Sequence, residues 1–551
     1  MVRSAVAIAV LLASTSASAV PPRFKAKADA YLAQAYAANG PGAAVIVTEN
    51  GTTVYTAGRG MADIAAGRAI KPGDSFRLGS ITKQFAAATL LKLVEQGKLS
   101  LDDPLSKFIP DYPAPGTAVT VRQLLNHTSG IADYTEIPGW MVEANTAKAY
   151  TTPALVAVFK DQPAAFKAGE HWAYDNSGYI LVGAIIEKVT GKPWADAVAD
   201  AITRPLHLGS IRSGVSEASI STMAKGYTVK DGKPAPAVVI HMSVPGAAGA
   251  LVGNVGDLAT WAYALHNGKV VSPATYQAMI TPTKTSDGKT APYGYALELG
   301  EVRGHREIGH NGGIFGFLTD SEYLPKEKIF VAVFANSDAP RTQPGTLAKR
   351  LAALTVGDPF PTLAKSATNL KAIEPLLGQY KFDDTERTFF ARDGKLYTKR
   401  AGGGEIEAFA AGGNRYFYGP DDLTYFEIMP GGKATQIAFH RDGSPKAAIG
   451  VRIGPVPAPV ASTALTIAPA TLDSYAGSYT SAAGMFVFKH VGDGLTVKLA
   501  EQPAFPLAAT SATEFEIAQV GAKIRFNVKD GKAASITLFQ GGQQIEGTRV
   551  D

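Results

Sequence analysis

A chain of 551 residues is longer than one hydrophobic core usually organises, so two or three domains are expected, and 46% hydrophobic with 18% charged residues is ordinary globular composition. The formal charge of +5 is a small excess of 53 Lys and Arg over 48 Asp and Glu, scattered without a basic stripe, which argues against nucleic acid as a partner. Cysteine is absent, which removes disulfides, thiol catalysis and sulfur-ligated zinc.

The chain starts with a secretion-signal pattern: Arg3, an apolar run from Ala5 to Ala13, then Ala17-Ser18-Ala19 as a small-x-small cleavage site. Residues 1–19 are expected to be a signal peptide and the mature protein periplasmic or secreted. The apolar run is much shorter than the ~20 residues a bilayer span needs, and no later segment qualifies, so no stable membrane insertion is expected.

Ala43 to Ala57 alternates around Asn50-Gly51, a dipeptide suited to the positive φ angles of a tight hairpin. Helical periodicity follows in Gln84 to Gly97, with Phe85, Leu90, Leu91, Leu93 and Val94 on one stripe, and again in Gly178 to Val189. Strand character returns in Ile329 to Phe334. Strands at both ends of a helical middle predict an α+β domain over residues 20–357, with an antiparallel sheet built from its two ends.

Beyond it, short alternating stretches are separated by Asp393-Gly394, Gly431-Gly432, Asp493-Gly494 and Asp530-Gly531, which reads as β-rich sequence. The Pro-rich connector Gly454 to Pro459 divides it into parts at 368–455 and 463–551. These parts resemble one another. Gly378-Gln379-Tyr380 matches Gly477-Ser478-Tyr479, and Lys433 to Ile437 matches Lys532 to Ile536, both at an offset of 99 residues.

Chemistry begins at Ser80-Ile81-Thr82-Lys83. A Ser-x-x-Lys pattern alone is weak, and a second copy stands at Ser286 and Lys289 in a Gly- and Thr-rich turn region. The first copy follows Gly79 and opens the amphipathic helix, where free backbone N–H groups suit an oxyanion. Residues three apart share a helix face, which brings the Lys83 ammonium to the Ser80 hydroxyl. Free lysine titrates near ~10.4, and burial can tune it toward ~7 to 8, where it serves as a base. An isolated match of this kind is more often an N-cap serine beside a solvated lysine.

Two further motifs follow in order: Tyr174-Asp175-Asn176 before a helix, and His310-Asn311-Gly312-Gly313 before the strand-like Phe317 to Leu324. Together with Leu124 to Gly130 and Asp102-Asp103-Pro104-Leu105, this order resembles the serine β-lactamase and penicillin-binding-protein superfamily. The resemblance is to its class C-like branch of D-aminopeptidases, D-alanyl-D-alanine carboxypeptidases and esterases.

The resemblance implies a β-lactamase-like catalytic domain followed by two small antiparallel, lipocalin-like β-barrels, with a loop of the last barrel, between Thr480 and Asp551, walling the active site. It implies Ser80 as nucleophile, Lys83 and Tyr174 as proton carriers, Asn176 holding the substrate amide, and His310 orienting Tyr174 or meeting a substrate carboxylate. Backbone N–H groups of Ser80 and Gly313, with Gly312 beside them, would make the oxyanion hole. Tyrosine at the head of the middle motif and histidine in place of the usual lysine in the third look more like peptidases and esterases than efficient β-lactamases.

The expected function is a secreted serine hydrolase acting on a small peptide or ester, most specifically a peptidase for short or D-residue-containing peptides. A carboxylesterase, a weak β-lactamase and a non-catalytic penicillin-binding sensor are the alternatives. His127 reads as a residue pinning backbone. The histidines lack metal-ligand spacing, so no metal and no cofactor is expected. Oligomeric state is left open.

Overall fold

The computed structural model describes residues 24–429, 435–457, 465, 467–481, 484–499, 504–517, 520–529, 531–540 and 543–550. The expected signal segment, Gly431-Gly432, Lys433, Asp530 and the end of the Pro-rich connector lie outside the described residues.

The first domain is organised by a six-stranded antiparallel sheet. Its strands are Ala43–Glu49 (β1), Thr52–Arg59 (β2), Glu298–Val302 (β3), His305–Ile314 (β4), Phe317–Leu324 (β5) and Ile329–Ala335 (β6). Their spatial order is β3-β4-β5-β6-β1-β2, so the last strand pairs with the first. The hairpin between β1 and β2 turns at Asn50 (φ 49°) and Gly51 (φ 79°), the two left-handed positions that a tight primed turn requires.

β1 and β6 are apolar on successive residues because both faces of the sheet are covered. Ala43, Val45, Val47, Val331 and Val333 face one core, which includes the helices Phe24–Ala35 (α1) and Pro344–Thr355 (α4). Ala44, Ile46, Phe330 and Phe334 face the larger core, which includes the helices Thr82–Glu95 (α2) and Asn176–Thr190 (α3). Alternation across the pleat sorts them. α2 is buried almost all round, as a central helix must be; Phe85 stacks on Trp261 at 4.3 Å, and Gln84 Oε1 accepts the Trp261 indole N–H at 2.9 Å.

The C-terminal region forms two closed eight-stranded antiparallel barrels with strands in sequence order, one from Gly378–Lys381 to Ala448–Gly454 and one from Gly477–Ser481 to Gln543–Arg549. Each follows a short helix, Leu370–Ile373 or Pro469–Tyr475. The repeat extends to single bonds. The hydroxyls of Tyr380 and Tyr479 donate to the carbonyls of Leu376 and Tyr475, while Arg452 and Arg549, paired across the closing ladders with those tyrosines, donate to the carbonyls of Leu377 and Ala476. Both are up-and-down barrels filled by side chains.

Candidate active site

Ser80 lies in a single 3-10 turn, Gly79–Ile81, that leads into α2 one residue later. The Lys83 ammonium is fully buried and donates to Ser80 Oγ at 3.1 Å, Asn176 Oδ1 at 2.9 Å and the Ala248 carbonyl at 2.9 Å. Three neutral acceptors do not replace water around a charge. Burial therefore lowers the lysine to about 7, against the opposing pull of Asp133 and Asp175. The amine is a base at neutral pH, pointed at the hydroxyl.

Asp175 caps α3 by accepting the Gly178 N–H at 2.8 Å, and it also accepts the Ser129 hydroxyl at 2.9 Å. Its burial, with Asp133 nearby, raises its carboxyl to about 7. The cap fixes its neighbours in the chain on either side. Asn176 donates from Nδ2 to Asp133 Oδ2 at 2.9 Å while accepting from Lys83, so both ends of its amide already have partners in this structure and it bridges lysine to carboxylate. Tyr174 lies beneath the ammonium, with Lys83 Nζ 4.7 Å from its ring centre. Its phenol oxygen is buried with no hydrogen-bond partner among the described residues. Burial raises this phenol, against a lowering contribution from the Ser80 hydroxyl, so it stays protonated.

The third motif lies on β4, which a sequence rich in glycine does not announce. β4 pairs with β3 only over 305–309, so residues 310–314 run past the end of β3 with one edge free. That stretch passes the Ser80 turn at backbone contact. A Cβ on Gly79 (φ 54°) would lie 2.8 Å from Gly313 N, and one on Gly312 would lie 2.1 Å from the Leu78 carbonyl. Glycine at both positions brings the Gly313 backbone beside that of Ser80.

His310 is buried and does not bond to Tyr174, whose ring centre is 6.1 Å from its own; the Glu298 carboxylate is 3.9 Å from its Nδ1. Its Nε2 meets Tyr293 Oη at 2.9 Å, and Tyr293 Oη meets His127 Nε2 at 3.2 Å. The network assigns every proton. The Asp175 N–H donates to His127 Nδ1 at 3.2 Å, so His127 carries its proton on Nε2 and donates to Tyr293. Tyr293 then donates to His310 Nε2, leaving the His310 proton on Nδ1, which donates to the Asn311 carbonyl at 2.5 Å. Burial lowers both imidazoles, His310 to about 3, so the chain is neutral throughout. His127 pins the backbone of the middle motif.

Ser80, Lys83, Tyr174, Asn176, Gly312 and Gly313 thus converge, and His310 joins them through Tyr293. Sequence reasoning missed Tyr293, Asp133 and the Ala248 carbonyl, which come from loops and a short turn without a motif. The second Ser-x-x-Lys is a surface turn: the Ser286 N–H bonds Gly169, and Lys289 is exposed beside Asp287. Among the described residues no group of three or more His, Cys, Asp or Glu could hold a metal ion, and no helix is long and apolar enough to cross a membrane.

The family model described as Beta-lactamase matches residues 28–355. Penicillin-binding protein 4* of Bacillus subtilis is 26% identical over 430 residues, 74% of this chain and 94% of that protein. A D-aminopeptidase of Brucella canis is 27% identical over 300 residues, 54% of this chain; the match spans 56%, about half, of that relative's length. Among solved structures, an octameric penicillin-binding protein homologue from Pyrococcus abyssi aligns with a TM-score of 0.56 at 26% identity, over 78% of this chain and 99% of that one.

Proposed function

The chain belongs to the beta-lactamase family of serine hydrolases, and from that premise we propose that it is an exported peptidase that forms an acyl-enzyme at Ser80 and cleaves amide bonds of short peptides, D-residue-containing ones included. The observation that carries this reading is the hydrogen bond from a buried Lys83, lowered to about 7, to Ser80 Oγ. The neutral amine takes the hydroxyl proton as Oγ attacks the carbonyl carbon. The resulting oxyanion lies between the backbone N–H groups of Ser80 and Gly313, each worth about a hundredfold or more in rate. Tyr174, a protonated phenol beside the Ser80 hydroxyl, donates to the leaving amine and is recharged from the lysine; water then repeats the sequence on the ester.

Amide cleavage, rather than ester cleavage alone, is supported by this third step, because an amine leaves only when protonated. The D-aminopeptidase relative supports the stereochemical part. Export rests on the residue pattern of the first nineteen positions.

Mass spectrometry after incubation with an acylating β-lactam, run beside turnover of short L- and D-amino-acid amides and p-nitrophenyl esters, tests the proposal. An adduct on Ser80 with amide turnover supports it and reveals the stereochemistry. An adduct with ester turnover only replaces it with an esterase, and an adduct without any turnover with a penicillin-binding sensor.

A further inference from the structure

The sheet face beneath α4 changes character partway across. In one cross-strand row Glu298, Gly309, Glu322 and Val331 stand side by side, and in the next Asn311, Asp320 and Val333. The valines continue an apolar core, whereas Glu298, Glu322 and Asp320, with Glu307 on the same face of β4, line a cavity of about 430 Å³. α4 contributes Lys349 to its wall, and the first barrel contributes Asp421, Asp422 and Asp442. Seven carboxylates thus line the chamber with one lysine, whose Nζ is 3.9 Å from Glu307, while Arg341 pairs with Asp421 from the solvent side.

Glu322 is 1% exposed, and neither of its carboxylate oxygens has a hydrogen-bond partner among the described residues. A buried carboxylate without donors is unfavourable, and this one lines a space large enough for a molecule to supply them. Burial and the neighbouring acids push Asp320 and Glu322 well above the ordinary carboxylate range, against Lys349. Near neutral pH these two carboxyls therefore hold their protons, and a bound cation would displace them at mildly alkaline pH.

Among the described residues no three of these acids could share a metal ion, and the volume greatly exceeds that of one bare ion. We propose that the chamber binds a small linear organic polycation of the di- or triamine class, its ammonium groups pairing with Glu322, Asp320 and Glu298. His310 also reaches the chamber wall, its Nδ1 3.9 Å from Glu298, so the chamber adjoins the Ser80 site. Glu322, with no hydrogen-bond partner among the described residues, bonds to none of the groups around Ser80, and its substitution reads the chamber apart from the chemistry assigned there.

Calorimetric titration of the full chain with spermidine, at low salt and mildly alkaline pH, is the test. The expected result is saturable one-site binding that Glu322→Gln weakens about tenfold or more, with ester turnover at Ser80 unchanged. Lys349→Met removes the resident cation and is expected to tighten binding about tenfold, an arm that stands even if Glu322→Gln fails to fold. No saturable heat with the wild-type chain, equal affinity in wild type and variants, or tighter binding of Mg²⁺ than of spermidine would each overturn the proposal.

Discussion

On the proposed mechanism, Lys83 sets the pH dependence of this site. Its ammonium is lowered from the ordinary lysine value to about 7, so below that the amine is protonated and cannot accept from Ser80, and above it the base is free. Asp175, raised to about 7 a few ångströms away, titrates in the same range, so the apparent value belongs to the pair. Because burial raises the Tyr174 phenol, no second ionisation removes activity on the alkaline side. We expect kcat/KM to rise sigmoidally through about pH 7 and then stay level to about pH 9. A bell-shaped profile over that span would mean the phenol ionises in the free enzyme. Lys83→Met should lower kcat/KM by about a thousandfold or more with β-lactam labelling lost in parallel. Tyr174→Phe should lower amide turnover by about a hundredfold or more but ester turnover much less, since an alkoxide leaves without a proton donor. Equal losses on both substrates would remove the phenol from the leaving-group step.

At the level of elements, the site depends on a turn and a strand approaching more closely than side chains permit. Gly79→Ala would place a methyl 2.8 Å from Gly313 N at a φ of 54°, so strand and turn must separate and the two oxyanion donors with them. Gly97 is the control: its φ is 69°, but nothing lies within 4 Å of its missing Cβ. Gly97→Ala should cost about 1 kcal/mol in thermal stability from its positive φ alone and Gly79→Ala more than that because of the clash, and only Gly79→Ala should lower acylation, by about a hundredfold. Equal activity in the two variants would show that the approach is not what aligns the donors. The same contrast marks what the amino-acid sequence reveals. The helix after Ser80 was legible because its apolar positions recur at helical spacing, and the barrel repeat because two short segments, one around Tyr380 and one ending at Ile437, recur at the same offset of 99 residues. The strand character of His310 to Gly313 was not legible, because two glycines carry no strand preference and the backbone is held there by β5. The role of His310 escaped for the same reason: its partner Tyr293 stands in no motif, and the pairing is made only when the sheet and the loop before β3 fold together.

For the whole molecule, the question is what holds the barrels to the enzyme. Hydrogen bonds join the first barrel to the catalytic domain. Asp421 accepts from Thr342 Oγ1 at 2.5 Å and Arg341 Nε at 3.2 Å, the Pro420 carbonyl accepts from Arg350, and the Gly443 carbonyl from Arg303. These bonds differ in worth. The Arg341 to Asp421 pair is solvent-exposed on the arginine side and contributes about 0–1 kcal/mol, whereas the hydroxyl of Thr342, a residue 1% exposed, loses about 1–3 kcal/mol if left without an acceptor. Arg341→Ala should therefore leave the unfolding profile nearly unchanged. Asp421→Ala should loosen the junction and separate a single calorimetric transition of catalytic domain and first barrel into two, with Ser80 labelling preserved in the upper or lower one according to which domain is the more stable. If both variants melt as one unit at the wild-type temperature, the junction is held instead by apolar contact, such as that of Phe360 and Leu423 with the α1 and α4 core, and the polar clasp only sets its angle.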